Sequence, residues 1–198
     1  MTDPYKCLNI SPFANSMDVE KSRFNLIESI EDEGYGPGDS KYREIIWSAD
    51  LLKDRERRSA YEKTILSKSL NNIKGLEISD VKDSLLQELR TVLGVDAYLA
   101  IINDDFSDFD FSFPFFSVDE HLDAGRILAA FLLMISVYQE LEDQDVKPRF
   151  LFKISDFFLR SIKDKNWAKV FWKKIVKEYP KSREAFRAED LLSDSKNF

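Results

Sequence analysis

Few residues in this chain are of types that do chemistry, and their spacing argues against an enzyme. The single histidine, His121, has no second metal ligand or base beside it in the sequence. The single cysteine, Cys7, excludes an internal disulfide and a thiolate metal cluster, and it fits a reducing, cytoplasmic compartment. No phosphate-cradling glycine loop and no nucleophile with a nearby base is visible. The sequence therefore predicts no catalytic residues, no metal and no cofactor.

A cluster of aspartates does occur, within the acidic, phenylalanine-rich stretch from Asp104 to Ser117. These aspartates lack the loop glycine and the terminal glutamate of a calcium-binding hand. Phe109, Phe111 and Phe113 alternate with other residues, so an extended chain would place them on one face. Two interpretations follow: a linker whose phenylalanines pack on neighbouring helices, or an acidic-aromatic segment that binds a partner.

The composition favours a helical protein. In 198 residues there are only 6 glycines and 6 prolines, and 43% of the residues are hydrophobic, which is ample for a core. Ser117 and Glu120 form a capping box that predicts a helix from Val118 to about Glu142. Its apolar run, residues 127–137, is shorter than the ~20 residues needed to cross a bilayer, and no signal peptide is apparent. We expect an all-α protein without a membrane partner.

The stretch from Tyr42 to Tyr61 organises the first third of the chain. An apolar stripe recurs there at helical spacing and consists of Tyr42, Ile45, Ile46, Ala49 and Leu52. Asp54 is a good N-cap for a second helix that starts at the next residue. The ring of Tyr61 is expected to close this second helix back onto the first.

This stretch resembles the third helix, loop and fourth helix of a J-domain, the module with which DnaJ-type co-chaperones engage heat-shock ATPases. The matching residues are Leu52, Lys53, Asp54, Arg58, Tyr61 and Glu62. Upstream, residues 3–10 are similar to the family's opening, and the stripe from Val19 to Ile30 stands at its second helix. The resemblance covers about the first third of the chain and implies a helical-hairpin domain there.

The resemblance breaks at the family's functional motif. Members that stimulate the ATPase carry His-Pro-Asp just after the second helix, whereas this chain has Glu31, Asp32 and Glu33 at that place. The family's second helix is usually basic, because it meets an acidic chaperone surface. Here Glu31, Asp32 and Glu33 have the same sign of charge as that surface, and like charges repel and slow association. The resemblance therefore implies a J-like fold without the usual J activity.

Near the C-terminus, two predicted helices resemble a tetratricopeptide repeat. The first runs from Lys147 to Asp164, and the second begins near Asn166. The family pattern in the second helix is matched by Ala168, Trp172, Ile175 and Pro180. Ser155 and Asp156 depart from the pattern in the first helix. A stable array needs about three repeats, so a plain helical hairpin remains the alternative.

Charge is distributed unevenly along the chain, which has a formal net charge of −7. Residues 73–146 hold 4 basic and 16 acidic residues, whereas residues 147–189 hold 13 basic and 5 acidic ones. Within the basic part, four lysines recur at about one helical turn: Lys169, Lys173, Lys174 and Lys177. Peptide-clamp tetratricopeptide repeats hold acidic tails with such lysines. The alternatives are a solvated face and pairing with the chain's own acidic middle.

These observations predict a non-enzymatic adaptor or scaffold that binds another protein, acidic or chaperone-related. The predicted domains are a J-like domain (1–72), a connecting helix and acidic linker (73–117) and a tetratricopeptide-like helical domain (118–198). Nucleic-acid binding is not expected, because the aromatic residues in the basic part lie at core spacing. The rival interpretations are a divergent co-chaperone that engages a DnaK-type chaperone through an unusual surface, and an enzyme whose site only the fold reveals.

The substitution of the His-Pro-Asp motif generates a direct prediction. Because Glu31, Asp32 and Glu33 replace it, the protein should leave the ATPase of a DnaK-type chaperone at its basal rate. Single-turnover ATP hydrolysis by purified chaperone, with and without this protein, measures the effect. A several-fold acceleration would contradict the prediction.

Overall fold

The computed structural model describes residues 3–72, 86–87 and 114–194. Within these ranges the chain consists of helices and the turns between them, which confirms the predicted all-α class. The chain divides into two compact units, the first made of Met1–Asp110 and Asp119–Ala130, the second of Phe111–Val118 and Phe131–Phe198. The predicted domain limits at residues 72 and 117 stay predictions, because most of the segment between them lies outside the described residues.

The first unit opens with four helices, each placed by local sequence signals. They are α1 (Pro4–Leu8), α2 (Ser16–Asp32), α3 (Ser40–Lys53) and α4 (Arg55–Asn72). The Asp3 side chain caps α1 by accepting from the backbone N–H groups of Tyr5 and Lys6. Asn15 and Asp18 form a capping box at the start of α2. α3 packs against both α1 and α2.

The predicted junction between α3 and α4 is present. The Asp54 carboxylate accepts from the backbone N–H of Arg57 at 2.9 Å, as an N-cap should. Most of the predicted stripe on α3 is buried: Ile45, Ala49 and Leu52 are inaccessible to solvent or nearly so, whereas Tyr42 and Ile46 are half-buried. The carboxylate therefore starts α4, and the α3 stripe supplies core to the first unit.

Residues 119–130 also belong to the first unit, and the helix predicted there is interrupted. α5 (Pro114–Asp123) and α6 (Ile127–Glu140) replace the single helix predicted from Val118 to Glu142. The prediction was wrong because Gly125 adopts a left-handed φ of 76°. Ser117 lies inside α5, because this helix begins at Pro114, and it therefore does not cap a helix.

The second unit is built from the start of α5, the later part of α6, three further α-helices and a π-helical turn. α7 (Lys147–Phe157) passes into a π-helical turn (Phe158–Ile162), then α8 (Lys165–Glu178) and α9 (Arg183–Asp194) follow. α8 packs against both α7 and α9. Asp164 caps α8 through its side chain, so this helix starts at Lys165 rather than at Asn166.

Aromatic rings fill the core of the second unit. The Phe158 ring lies 5.3 Å from that of Phe131, 5.4 Å from that of Phe171 and 5.7 Å from that of Trp167, between centroids. The buried indole N–H of Trp172 donates to the Ser155 hydroxyl at 2.9 Å. Ser155, which departs from the tetratricopeptide pattern, therefore supplies the hydrogen bond that a buried tryptophan requires.

The close approach at Gly125 gives a stability prediction. A Cβ atom at this position would lie 2.6 Å from the carbonyl oxygen of Arg55. Gly125→Ala should therefore suffer both the cost of a left-handed residue, about 1–2 kcal/mol, and a steric overlap with backbone. Urea unfolding monitored by circular dichroism measures the loss.

Gly34 is the matched control for this measurement. Its φ is +90°, but a Cβ there would meet nothing within 4 Å. Gly34→Ala should show the conformational cost alone. Equal losses in the two variants would contradict the close contact between Gly125 and Arg55.

Candidate functional site

The Glu62 carboxylate is a fully buried group of the first unit. One of its oxygens accepts from the Arg58 Nε at 2.8 Å and from the Tyr5 hydroxyl. The other accepts from the backbone N–H of Leu128 at 2.6 Å. Arg58 and Glu62 lie one turn apart on α4, and both are almost fully buried. Three donors thus satisfy a charge that would be costly to bury alone.

Arg58 extends this network to the turn that follows α1. Its Nη1 donates to the carbonyl oxygen of Ala14 at 2.8 Å, and its Nη2 donates to that of Pro12 at 2.7 Å. The guanidinium also lies 5.6 Å from the centroid of the Tyr5 ring. A planar fork of donors suits this task, because it satisfies two carbonyls and a carboxylate at once. Arg58 therefore holds the turn between α1 and α2 against α4.

The electrostatics of the network favour a structural role. Burial raises the pKa of the Glu62 carboxyl, and the donors from Arg58, Tyr5 and Leu128 oppose that rise by stabilising the ionised form. Burial, together with the Glu62 charge, holds the pKa of Tyr5 well above its usual range. Leu128 lies in the first turn of α6, where the helix dipole attracts a carboxylate. The groups of the network bond to one another and are closed to solvent.

Tyr61 links α4 to α1. Its hydroxyl donates to the carboxylate of Asp3, the N-cap of α1, and its ring lies 6.4 Å from that of Tyr5. The side chain is half-buried, whereas Tyr5 is fully buried. The predicted closing of α4 back onto α3 through the ring stays a prediction.

His121 lies against the same region of the first unit. Its ring makes an edge-to-face contact with Phe13, with 5.5 Å between centroids. Its Nδ1 is buried and has no hydrogen-bond partner among the described residues. Burial, with the nearby charges of Arg126 and Arg58, lowers the pKa of His121 to about 4. His121 is thus a neutral, half-buried packing residue near neutral pH.

The residues in place of His-Pro-Asp lie on the surface at the end of α2. Glu31, Asp32 and Glu33 are all exposed. The Glu33 carboxylate pairs with the Lys41 ammonium at 3.0 Å, an exposed bridge worth at most about 1 kcal/mol. This corner of the molecule is therefore acidic and open to solvent.

The predicted lysine cluster is divided between two sides of α8. Lys169, Lys173 and Lys177 lie opposite the buried residues of the helix, and the last two are exposed. The side chain of Lys174 is only 18% exposed and pairs with Glu178. Val170, which is 42% exposed, lies among the three outer lysines. We call Lys169, Val170, Lys173 and Lys177 the α8 lysine face.

Sequence reasoning missed a second surface, on α2. Met17 is 81% exposed and Phe24 is 66% exposed, although both are large and apolar. They are seven residues apart, so they lie on one side of the helix, opposite the buried Val19 and Ile30. That spacing was readable from the sequence. The predicted Phe109, Phe111 and Phe113 lie outside the described residues.

The second unit also has an open groove of ≈ 670 Å³ beside the turn between α8 and α9. Three basic side chains, Arg149, Lys181 and Arg183, and three acidic ones, Asp145, Glu178 and Glu184, line it. The two signs of charge balance in number, so the groove favours neither an anion nor a cation. It gives no basis for assigning a ligand.

Comparison of the chain with protein families, curated proteins and solved structures finds no match. Within residues 3–72 and 114–194, no three or more His, Cys, Asp or Glu side chains are grouped so as to hold a metal ion. The described helices also include none with the length and apolar character to cross a bilayer. Functional assignment therefore rests on the surfaces and the network described above.

The network around Glu62 generates a prediction about stability. Glu62→Ala leaves the Arg58 charge buried without its partner and leaves the Tyr5 hydroxyl and the Leu128 N–H unsatisfied. Breaking such a buried pair costs about 3–5 kcal/mol. Urea unfolding should show this loss. Glu20→Ala is the control. It removes a carboxylate on the surface of α2 that pairs with Lys53, and it should cost at most about 1 kcal/mol. Similar losses in both variants would contradict the network.

His121 generates a prediction about pH. Its pKa is about 4 in the folded chain and near 6.5 when unfolded, so protons bind preferentially to the unfolded chain in between. The folded state should therefore lose stability as the pH falls from about 6.5 towards 4. The raised carboxyl pKa values of Asp3 and Glu62 act in the opposite sense. These two groups remain in His121→Leu, so wild type should lose more free energy of unfolding than His121→Leu between pH 7 and pH 5. If the free energy of unfolding changes in parallel with pH in the two proteins, the lowered pKa of His121 is refuted.

Proposed function

We propose that this protein is a non-enzymatic adaptor that binds an acidic segment of another protein through the α8 lysine face. The observation that carries the proposal is the alignment of three lysines on the outer side of one helix, with Val170 exposed among them. Lys169, Lys173 and Lys177 are spaced at four-residue intervals, about 6 Å along the helix axis. Such a row complements a partner with acidic side chains at successive turns.

The first unit supports a J-like scaffold that lacks the usual J activity. Asp54, Arg58 and Glu62, which carry the resemblance, make contacts inside the unit. They hold α1, α4 and the start of α6, so their roles are structural. At the place of His-Pro-Asp the surface is acidic, and it would repel an acidic chaperone. We propose that the fold persists without stimulating a heat-shock ATPase.

The second candidate is a divergent co-chaperone. The exposed Met17 and Phe24 favour it, because α2 stands where the J-domain family has the helix that meets the chaperone. Exposed apolar side chains on one helix face are a feature of docking surfaces. The ATPase measurement described above separates this candidate from the adaptor.

The proposal includes a cytoplasmic location, on the strength of the lone Cys7, and a protein partner in place of nucleic acid or membrane. The basic face is confined to one side of α8, and the aromatic residues of that helix, Trp167, Phe171 and Trp172, are buried. They are therefore not available to stack on bases, as single-strand binding requires.

Charge reversal on α8 tests the proposed function. Lys173→Glu with Lys177→Glu should abolish capture of acidic protein partners from the native cell, because it turns attraction into repulsion. Both side chains are exposed, so the melting temperature should stay nearly unchanged. Affinity capture with mass spectrometry, followed by binding of the purified partner at two salt concentrations, measures the effect.

The matched control reverses two exposed cations that lie off α8. Arg149→Glu with Lys181→Glu changes the net charge by the same amount in the same unit. This control should keep the partners that the α8 variant loses. If the α8 variant retains the full set of partners, the proposed binding role of the lysine face is wrong.

A further inference from the structure

We propose that one occupant of the α8 lysine face is helix α2 of a second copy of this chain. This inference rests on the proposed function, because it takes the lysine face as a surface that binds acidic segments. It adds the identity of a binding segment, the outer side of α2 with Met17, Phe24, Glu28 and Glu31. We call these four residues the α2 acidic face.

The α2 acidic face combines apolar and acidic groups in a fixed order. With 100° of rotation per residue, its four members fall within one narrow sector, opposite the buried Val19 and Ile30. Met17 and Phe24 are 81% and 66% exposed, and Glu28 and Glu31 are also exposed. Apolar groups thus occupy the first half of the face and carboxylates the second half. A segment that covers this face needs apolar groups followed by cations.

From Val170 onwards, the α8 lysine face has that order and nearly the same spacing, whereas Lys169 precedes Val170 and has no counterpart on the α2 acidic face. From Val170, the ammonium groups of Lys173 and Lys177 follow at three and seven residues. From Phe24, the carboxylates of Glu28 and Glu31 follow at four and seven. Both rows therefore span about 10 Å of helix. Two such helices side by side and parallel would bring Val170 to Phe24, and Lys173 and Lys177 close to Glu28 and Glu31.

The contact has a predictable strength. Exposed ion pairs contribute little individually, and one helix face is smaller than a standard interface, so the association should be weak. It should weaken further with salt, because the Debye length is about 8 Å at physiological ionic strength. Since the contact joins α2 of one copy to α8 of another, it can close as a reciprocal two-fold pair or continue as a ring or an open chain.

Complementary charge reversal tests the inference, with the full-length chain itself as the probe. Sedimentation velocity of wild type at low salt should show a mean mass that rises over about a hundred-fold range of concentration. Glu28→Lys with Glu31→Lys should abolish that rise, and so should Lys173→Glu with Lys177→Glu. An equal mixture of the two variants should associate again, because each then offers the other a face of opposite charge. Both variants remain net negative, since the chain starts from −7, so overall charge does not explain that recovery.

A control variant reverses two exposed carboxylates elsewhere in the first unit. Asp50→Lys with Glu56→Lys changes the net charge as the α2 variant does and should still self-associate. A single species at all concentrations of wild type overturns the inference, and so does association that survives either reversal. Failure of the mixture to recover association also overturns it. Partner capture by the α2 variant is a separate readout. Capture of other proteins should persist in the α2 variant. If only the α8 variant loses that capture, the result supports the proposed function even when no self-association is observed.

Discussion

The first unit depends on one buried carboxylate. Glu62 joins three parts of the chain: Tyr5 in α1, Arg58 one turn away in α4, and the backbone of Leu128 at the start of α6. Burying an ion in a protein interior is favourable only when its hydrogen-bonding capacity is filled, and here three donors fill it. The position of each donor is therefore constrained by the other two. Through Arg58, the same constraint reaches the turn at Pro12 and Ala14.

This arrangement explains why the residues that carry the J-domain resemblance serve the fold. Asp54 starts a helix, and Arg58 and Glu62 bond to one another and to neighbouring parts of the first unit. Side chains with a structural task of this kind can be retained by a chain whatever its function. The surfaces that distinguish this chain are elsewhere, on the outer sides of α2 and α8. Both combine charge with exposed apolar side chains, which is the composition of a binding surface.

Local sequence signals predicted much of the fold. Periodicity and the scarcity of glycine and proline indicated helices, and Asp54 marked the start of α4 correctly. The break at Gly125 was missed, because the close approach of the Arg55 backbone is a contact between residues distant in sequence. For the same reason Leu128 was not foreseen as a partner of Glu62. On α8, helical spacing grouped four lysines, but only the structure separated Lys174, which pairs with Glu178.

The sequence distance between Glu62 and Leu128 has a consequence for synthesis of the protein. Their hydrogen bond spans 66 residues, and that between Arg126 and Phe13 spans 113. Contacts of such long range slow folding, because a large loop must close before they form. During translation, α1 to α4 leave the ribosome well before residues 119–130 do. For that interval the nascent first unit lacks the N–H group that completes the Glu62 network, so the last step of its folding waits on a segment made later.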